Sequence, residues 1–254
     1  MKCLSHLDMM RTFARAMRRG GIPISYTTGF NPHARIVFGL PLQVGVTSDA
    51  EYFDICVEGE RESGMHEGAD LGALIAKLNA CLPDGLAVNA ARERVAKENI
   101  MSIITHAGYE MRVRRKQDDN GNHSDISAAL GRAVAGFLLP GPKIVAKDAG
   151  VRQNRKTHRD NGAAREMDLA PLVRSLTVRG DILAMTVTAG SVNNVKPDLV
   201  LGAINTIHKK NTRGFESGWE FSRVSLHRKA LYVELGGVLL KPIDREICGF
   251  SESA

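Results

Sequence analysis

The chain is short of the groups that most metal- and nucleotide-dependent chemistries need. Its 254 residues hold four cysteines, Cys3, Cys56, Cys81 and Cys248, far apart from one another. None falls in a C-x-x-C or C-x-x-x-C-x-x-C group, which removes the zinc-ribbon and iron–sulfur ligand sets, so no metal is expected. Without a secretory signal, spaced cysteines read as free thiols in a reducing cytoplasm. No G-x-x-x-x-G-K-[ST] or G-x-G-x-x-G stretch occurs, so the common phosphate-cradling loops are excluded and no cofactor is expected. No run approaches 18 consecutive apolar residues, so a membrane partner is not expected. The opening Met-Lys-Cys-Leu-Ser-His lacks the charged-then-apolar order of a signal peptide.

What is present is enough apolar material, 43% of residues, for one large core or two small ones. Basic residues number 34 against 28 acidic, a net charge of +6. That excess is mild, and it favours polyanionic partners, nucleic acid above all.

A helix is predicted over residues 5–19, with Ser5 as N-cap and Asp8 completing a capping box. Leu7, Met10, Phe13, Ala14 and Met17 share one side of it, while Arg11, Arg15, Arg18 and Arg19 share another. Gly20-Gly21 stops the helix and Pro23 prevents its resumption. Strands follow at 35–40 and 51–57, a helix at 69–82, and a strand at 86–91. A second run reads as a long strand at 100–115, a helix at 125–138, a hairpin of 172–178 and 182–188, a helix at 197–208 and an extended segment at 221–233. The order strand, helix, strand, strand, helix, strand is the split βαβ plan. The fold class expected is α+β: two ferredoxin-like halves with antiparallel sheets, 1–98 and 99–254, the first lacking most of its first strand. Residues 143–165 read as an irregular insertion. They carry seven basic residues, including Lys143, Arg155 and Lys156, against two acidic ones, and too few apolar groups to offset their ordering entropy.

The candidate chemistry is cationic. Arg11, Arg15 and Arg18 stand at i, i+4 and i+7, so three guanidinium groups line one edge of a helix, a spacing suited to phosphates. The loop Gly29-Phe30-Asn31-Pro32-His33-Ala34-Arg35 offers Phe30 and His33 for stacking on bases and Arg35 for a phosphate. His6 and His33 are also candidates for general acid–base cleavage of a phosphodiester, although no orienting partner is visible. His6 points with the apolar side of the helix, which favours packing. Trp219, the single tryptophan, defaults to the core.

Taken together, Ser5-His6-Leu7-Asp8-Met9-Met10-Arg11, Arg15-Ala16-Met17-Arg18-Arg19, Ile22-Pro23, Gly29-Phe30-Asn31-Pro32-His33, Pro41-Leu42, Gly45-Val46 and Ala50-Glu51-Tyr52 resemble a radical-SAM-linked bacterial family, domain of unknown function 2344. The strong resemblance spans 3–57. Weaker spots recur at His227-Arg228 and Leu231-Tyr232. It implies a cytoplasmic bacterial protein working beside a separately encoded radical-SAM enzyme, and it supplies no established reaction. In that family a basic strand precedes the Ser-His-Leu-Asp motif, and here only residues 1–4 stand before it, which leads to the expectation that the native start lies upstream of Met1. The function expected is an RNA-binding accessory that presents tRNA or rRNA to a radical-SAM modification enzyme. The alternatives are a metal-independent RNA endonuclease using His6 or His33, and a non-catalytic protein-binding subunit.

Overall fold

The structure is a computed structural model and describes residues 4–57, 70–94, 98–116, 126–147, 165–211 and 219–248. In chain order its elements are α1 (His6–Arg19), β1 (Ile36–Phe38), β2 (Thr47–Ser48), β3 (Phe53–Ile55), α2 (Leu71–Asn79), α3 (Ile100–Ile103), β4 (His106–Arg115) and α4 (Ile126–Leu138). There follow β5 (Ile144–Lys147), β6 (Arg165–Asp168), β7 (Val173–Arg179), β8 (Ile182–Thr188), α5 (Pro197–Asn211), β9 (Phe221–Leu235), β10 (Val238–Leu240) and α6 (Arg245–Cys248). The architecture is α+β. Among the described residues, no helix is long and apolar enough to cross a membrane.

The chain forms two compact units. One comprises Met1–His106, Gly190–Val192 and Arg228–Ala254; the other comprises Ala107–Ala189 and Asn193–His227. In the first, β1 and β3 pair antiparallel with Phe38 opposite Phe53. The apolar side of α1 lies on this pair, and Phe13, Ala16, Met17, Ile22, Ile24, Ile36, Phe38 and Leu78 make a continuous core. Leu78 comes from α2, whose N-terminus is capped by Asp70 Oδ1 accepting the Ala73 N–H at 2.9 Å. Later in the chain β9 supplies Arg228–Leu235 to this unit, where β2 and β10 pair with β9.

The second unit runs strand, helix, strand, strand, helix, strand through β4, α4, β7, β8, α5 and the start of β9, and its sheet order is β9–β4–β8–β7. Alternation holds along the second half of β4: Tyr109, Met111 and Val113 are buried, while Arg112 and Arg114 are exposed. Residues Ile126, Ala129, Leu130, Ala133, Val134 and Phe137 give α4 a buried stripe at helical spacing. That helix packs against α5 and β7. Trp219 is buried, its ring 4.5 Å from His208 and 4.9 Å from Phe221.

Three sequence-based expectations need correcting. Residues 86–91 form no strand, because the Asn79 side chain takes both backbone groups of Val88: its Nδ2 donates to Val88 O at 2.9 Å and its Oδ1 accepts the Val88 N–H at 2.7 Å. Residues 100–103, expected to open a long strand, form the helical turn α3. Asn99 Oδ1 caps it by accepting the Ser102 N–H at 3.0 Å. The stretch expected to be irregular from 143 has paired ends, since β5 and β6 run antiparallel from Ile144 opposite Asp168 to Lys147 opposite Arg165. The residues between, including Arg155 and Lys156, lie outside the described residues.

Candidate nucleic-acid interface

The helix α1 is fixed at both ends by its own sequence. Ser5 Oγ donates to Asp8 Oδ2 at 2.6 Å and accepts the Asp8 N–H at 3.2 Å, while the Ser5 N–H reaches the same carboxylate at 3.3 Å. At the other end Ile22 N–H donates to Met17 O at 3.0 Å and Gly21 N–H to Arg18 O at 3.3 Å, a Schellman closure that places Ile22 on Met17 in the core. Rotation about the helix axis is set by rings. The Phe13 centroid lies 5.7 Å from Phe38 and 4.8 Å from Phe53, so the Phe13 side must face the sheet.

The opposite side therefore meets water, and it carries Arg11, Arg15 and Arg18, all exposed. Leu7, expected on the apolar side, is 60% exposed with them, because its position on the helix falls in line with Arg11 and Arg18. Arg11 has one acidic neighbour, Asp8 Oδ1 at 3.9 Å, and the Arg11 side chain remains 68% exposed. An ion pair of that length at a wet surface contributes about 0–1 kcal/mol and leaves the guanidinium available. The hydrogen bonds from the Ser5 hydroxyl and then the Ser5 N–H hold the Asp8 carboxyl below the ordinary carboxylate range, with Arg11 a smaller cause. Among the described residues no carboxylate lies within 4.0 Å of Arg15 or Arg18. Arg19 stands apart from this row, donating from Nη2 to the carbonyl of Cys81.

The loop before β1 is built as a small hairpin. Tyr26 and Ala34 are bridge partners, Arg35 N–H donates to Ser25 O at 2.8 Å, and Thr27 N–H donates to His33 O at 2.9 Å. Thr27 Oγ1 accepts the His33 N–H at 2.9 Å, closing the last rung. Its base is tied to the chain beyond β3 by Ser25 N–H to Cys56 O at 2.7 Å and by the bridge Ile24–Val57. The turn needs Gly29, whose φ of 134° belongs to a region side chains rarely enter. Alternation puts Ile24, Ala34 and Ile36 on the core side and Thr27, His33 and Arg35 on the outer side. Phe30, at the tip, has a relative exposure of 107%.

The predicted residues that are described thus fall into four places. Arg11, Arg15 and Arg18 form one exposed row, and Phe30, His33 and Arg35 form one exposed hairpin of the same unit. His6 is half-buried, its ring edge-on to Phe38 at 5.5 Å. Neither the His6 ring nor the His33 ring has an orienting hydrogen-bond partner among the described residues. Lys143 is engaged locally: Nζ donates to Leu139 O and Gly141 O, each at 2.9 Å, and sits over the Phe137 ring at the negative end of α4. Among the described residues, no group of three or more His, Cys, Asp or Glu side chains could hold a metal ion.

One pair escaped the sequence reading. Arg228 is 2% exposed; its Nη1 donates to Glu51 Oε1 at 3.0 Å, Glu51 Oε2 at 2.9 Å and Leu40 O at 2.9 Å, and its Nη2 donates to Pro41 O at 3.2 Å. Burial pushes the Glu51 carboxyl up, and the adjacent guanidinium offsets only part of that. The available signal was alternation: Leu226 and Ala230 flank Arg228 at two-residue spacing, which assigns the arginine to a buried strand face. The pair joins Pro41 and Glu51, both in the strong motif region, to the weaker His227-Arg228 spot.

Among curated proteins the comparison finds no match. The profile of the family DUF2344, described as an uncharacterized protein conserved in bacteria, matches residues 1–197. With the Ser-His-Leu-Asp helix start, the arginine row and the Gly-Phe-Asn-Pro-His hairpin all inside that span, the chain belongs to the bacterial family DUF2344.

Proposed function

We propose that this protein binds RNA, tRNA or rRNA, through the arginine row of α1 and the hairpin preceding β1, and that it presents the RNA to a separately encoded radical-SAM enzyme in the bacterial cytoplasm. The observation that carries the reading is the state of the arginines. Arg11, Arg15 and Arg18 are held outward by a helix whose other side is locked into a core. Among the described residues the one acid beside them, Asp8 at 3.9 Å from Arg11, leaves the row cationic. A guanidinium row at helical spacing matches successive backbone phosphates and stays charged at every cellular pH. The radical-SAM partner rests on the family resemblance of the motif region, and a chain without cluster-ligand cysteine spacing fits the accessory role. The sheet order β9–β4–β8–β7 of the second unit supports reading that unit as ferredoxin-like, a split βαβ scaffold.

The test is fluorescence anisotropy of labelled tRNA and rRNA fragments across a salt series in the presence of chelator. Affinity is expected to fall steeply with salt, and Arg11→Ala with Arg15→Ala is expected to flatten the logarithmic slope by about one unit per arginine. An unchanged affinity and slope in the double variant would remove this surface from consideration. Defined cleavage of the RNA in the same tubes, lost in His33→Ala, would instead favour the hydrolytic reading.

A further inference from the structure

We infer that the hairpin carrying Phe30 is a base-stacking finger, so that the ligand of this surface is unpaired RNA, single strand or loop, and duplex is refused. The inference rests on the RNA-binding reading above and specifies the class of RNA. Four observations converge on it. The tip ring of Phe30 is wholly in water, yet it is not on a slack loop: the rungs at Tyr26–Ala34 and Thr27–His33 and the tie to Cys56 fix the backbone on either side. A second ring, Tyr26, is 37% exposed at the end of the same hairpin, where Ile24 and Ala34 on its own side are turned to the core. His33 and Arg35, two residues apart on the outer side, add a further flat ring and a fixed cation beside the tip. The same unit presents Arg11, Arg15 and Arg18 with one acid beside them among the described residues, Asp8 at 3.9 Å from Arg11, whose side chain stays 68% exposed.

Each part suits a splayed nucleotide. Aromatic faces gain from stacking only on a base whose own face is free, and in a duplex those faces are covered by neighbours. The grooves of A-form RNA expose base edges, 2′-hydroxyls and phosphates, none of which offers a phenylalanine a partner. A surface made for duplex alone would need the cations and would have no use for a projecting phenyl ring. Charge complementarity selects the polyanion over a neutral or basic protein groove, and the ring selects the unpaired form of that polyanion.

The experiment uses the full chain and one labelled twelve-nucleotide RNA of mixed sequence, alone or annealed to its complement. The single strand is expected to bind about tenfold more tightly than the duplex. Phe30→Ala, at an exposed tip, is expected to keep the fold and the salt slope and to erase that tenfold preference. Phe30→Trp is expected to retain the preference, with its added indole emission quenched by the single strand and not by the duplex. Equal affinity of the wild type for both forms, or a preference untouched by Phe30→Ala, would overturn the finger while leaving RNA binding intact. The second outcome is also what a protein-docking hairpin would give. If neither RNA binds with a salt-dependent affinity, the RNA reading falls and the finger with it.

Discussion

Arg228 and Glu51 show how a buried cation is made tolerable: its guanidinium donates to both oxygens of the carboxylate and to the Leu40 and Pro41 carbonyls. Removing one member of such a pair leaves the other stranded in a poorly solvated place. Arg228→Met is therefore expected to destabilise the protein by about 3–5 kcal/mol in chemical denaturation. Adding Glu51→Leu is expected to recover most of that loss, because two apolar side chains of similar volume have nothing left to solvate. Equal stability of single and double variants would show the pair to be uncoupled. At this scale the sequence was partly legible. The arginines of α1 were placed correctly by spacing, since exposure on a helix follows from the opposite apolar side. For Arg228, alternation reports burial but not the partners, which lie 177 and 188 positions away.

Among the elements, α1 has the most explicit instructions, with a cap, an apolar side, a charged side and a stop all within seventeen residues of one another. Ser5→Ala is expected to cost about 1 kcal/mol and to loosen the first turn, measured by denaturation and by faster amide exchange at Asp8. The same cap makes the fold sensitive to acid. Asp8, Asp168 and Glu220 are each held below the ordinary carboxylate range, by Ser5, by the Lys143 and Ala170 N–H groups, and by Lys209 and Lys116 respectively. A depressed folded-state value stabilises above the unfolded value and ceases to do so as pH falls through the depressed one. Glu51, pushed up by burial, works in the opposite sense, losing its contribution as pH rises through the carboxylate range. Three groups against one predict a lower denaturation midpoint at about pH 3 than at about pH 5, with the difference reduced in Asp8→Asn. Long periodic segments such as α4, α5 and β8 could be read directly, because packing and propensity agree there. Residues 86–91 and 100–103 could not, since each was decided by one asparagine side chain, Asn79 or Asn99, offering the backbone a different partner.

For the molecule as a whole, the order of the longer elements, β4, α4, β7, β8, α5 and β9, was readable, while the gathering of the first unit from separate pieces was not. Ala107–His227 holds the whole second unit, interrupted only by Gly190–Val192, whereas the first is gathered from three separate pieces of chain. Expressed alone, residues 107–227 are expected to give a cooperative thermal melt by circular dichroism, and residues 1–106 are expected to give none. A cooperative melt of the shorter piece would mean that its core is sufficient without the returning strand. The returning strand also has a consequence during synthesis. Glu51 leaves the ribosome 177 residues before Arg228 does, which at about 5–20 residues per second is a wait of roughly 10–35 s. Throughout that interval the nascent front end carries a carboxylate with no counterpart and a motif region without its closing strand. Production in the cell should consequently depend on trigger-type chaperones more than the modest length suggests, and fast-translating synonymous codons between those two positions should raise the yield of folded product.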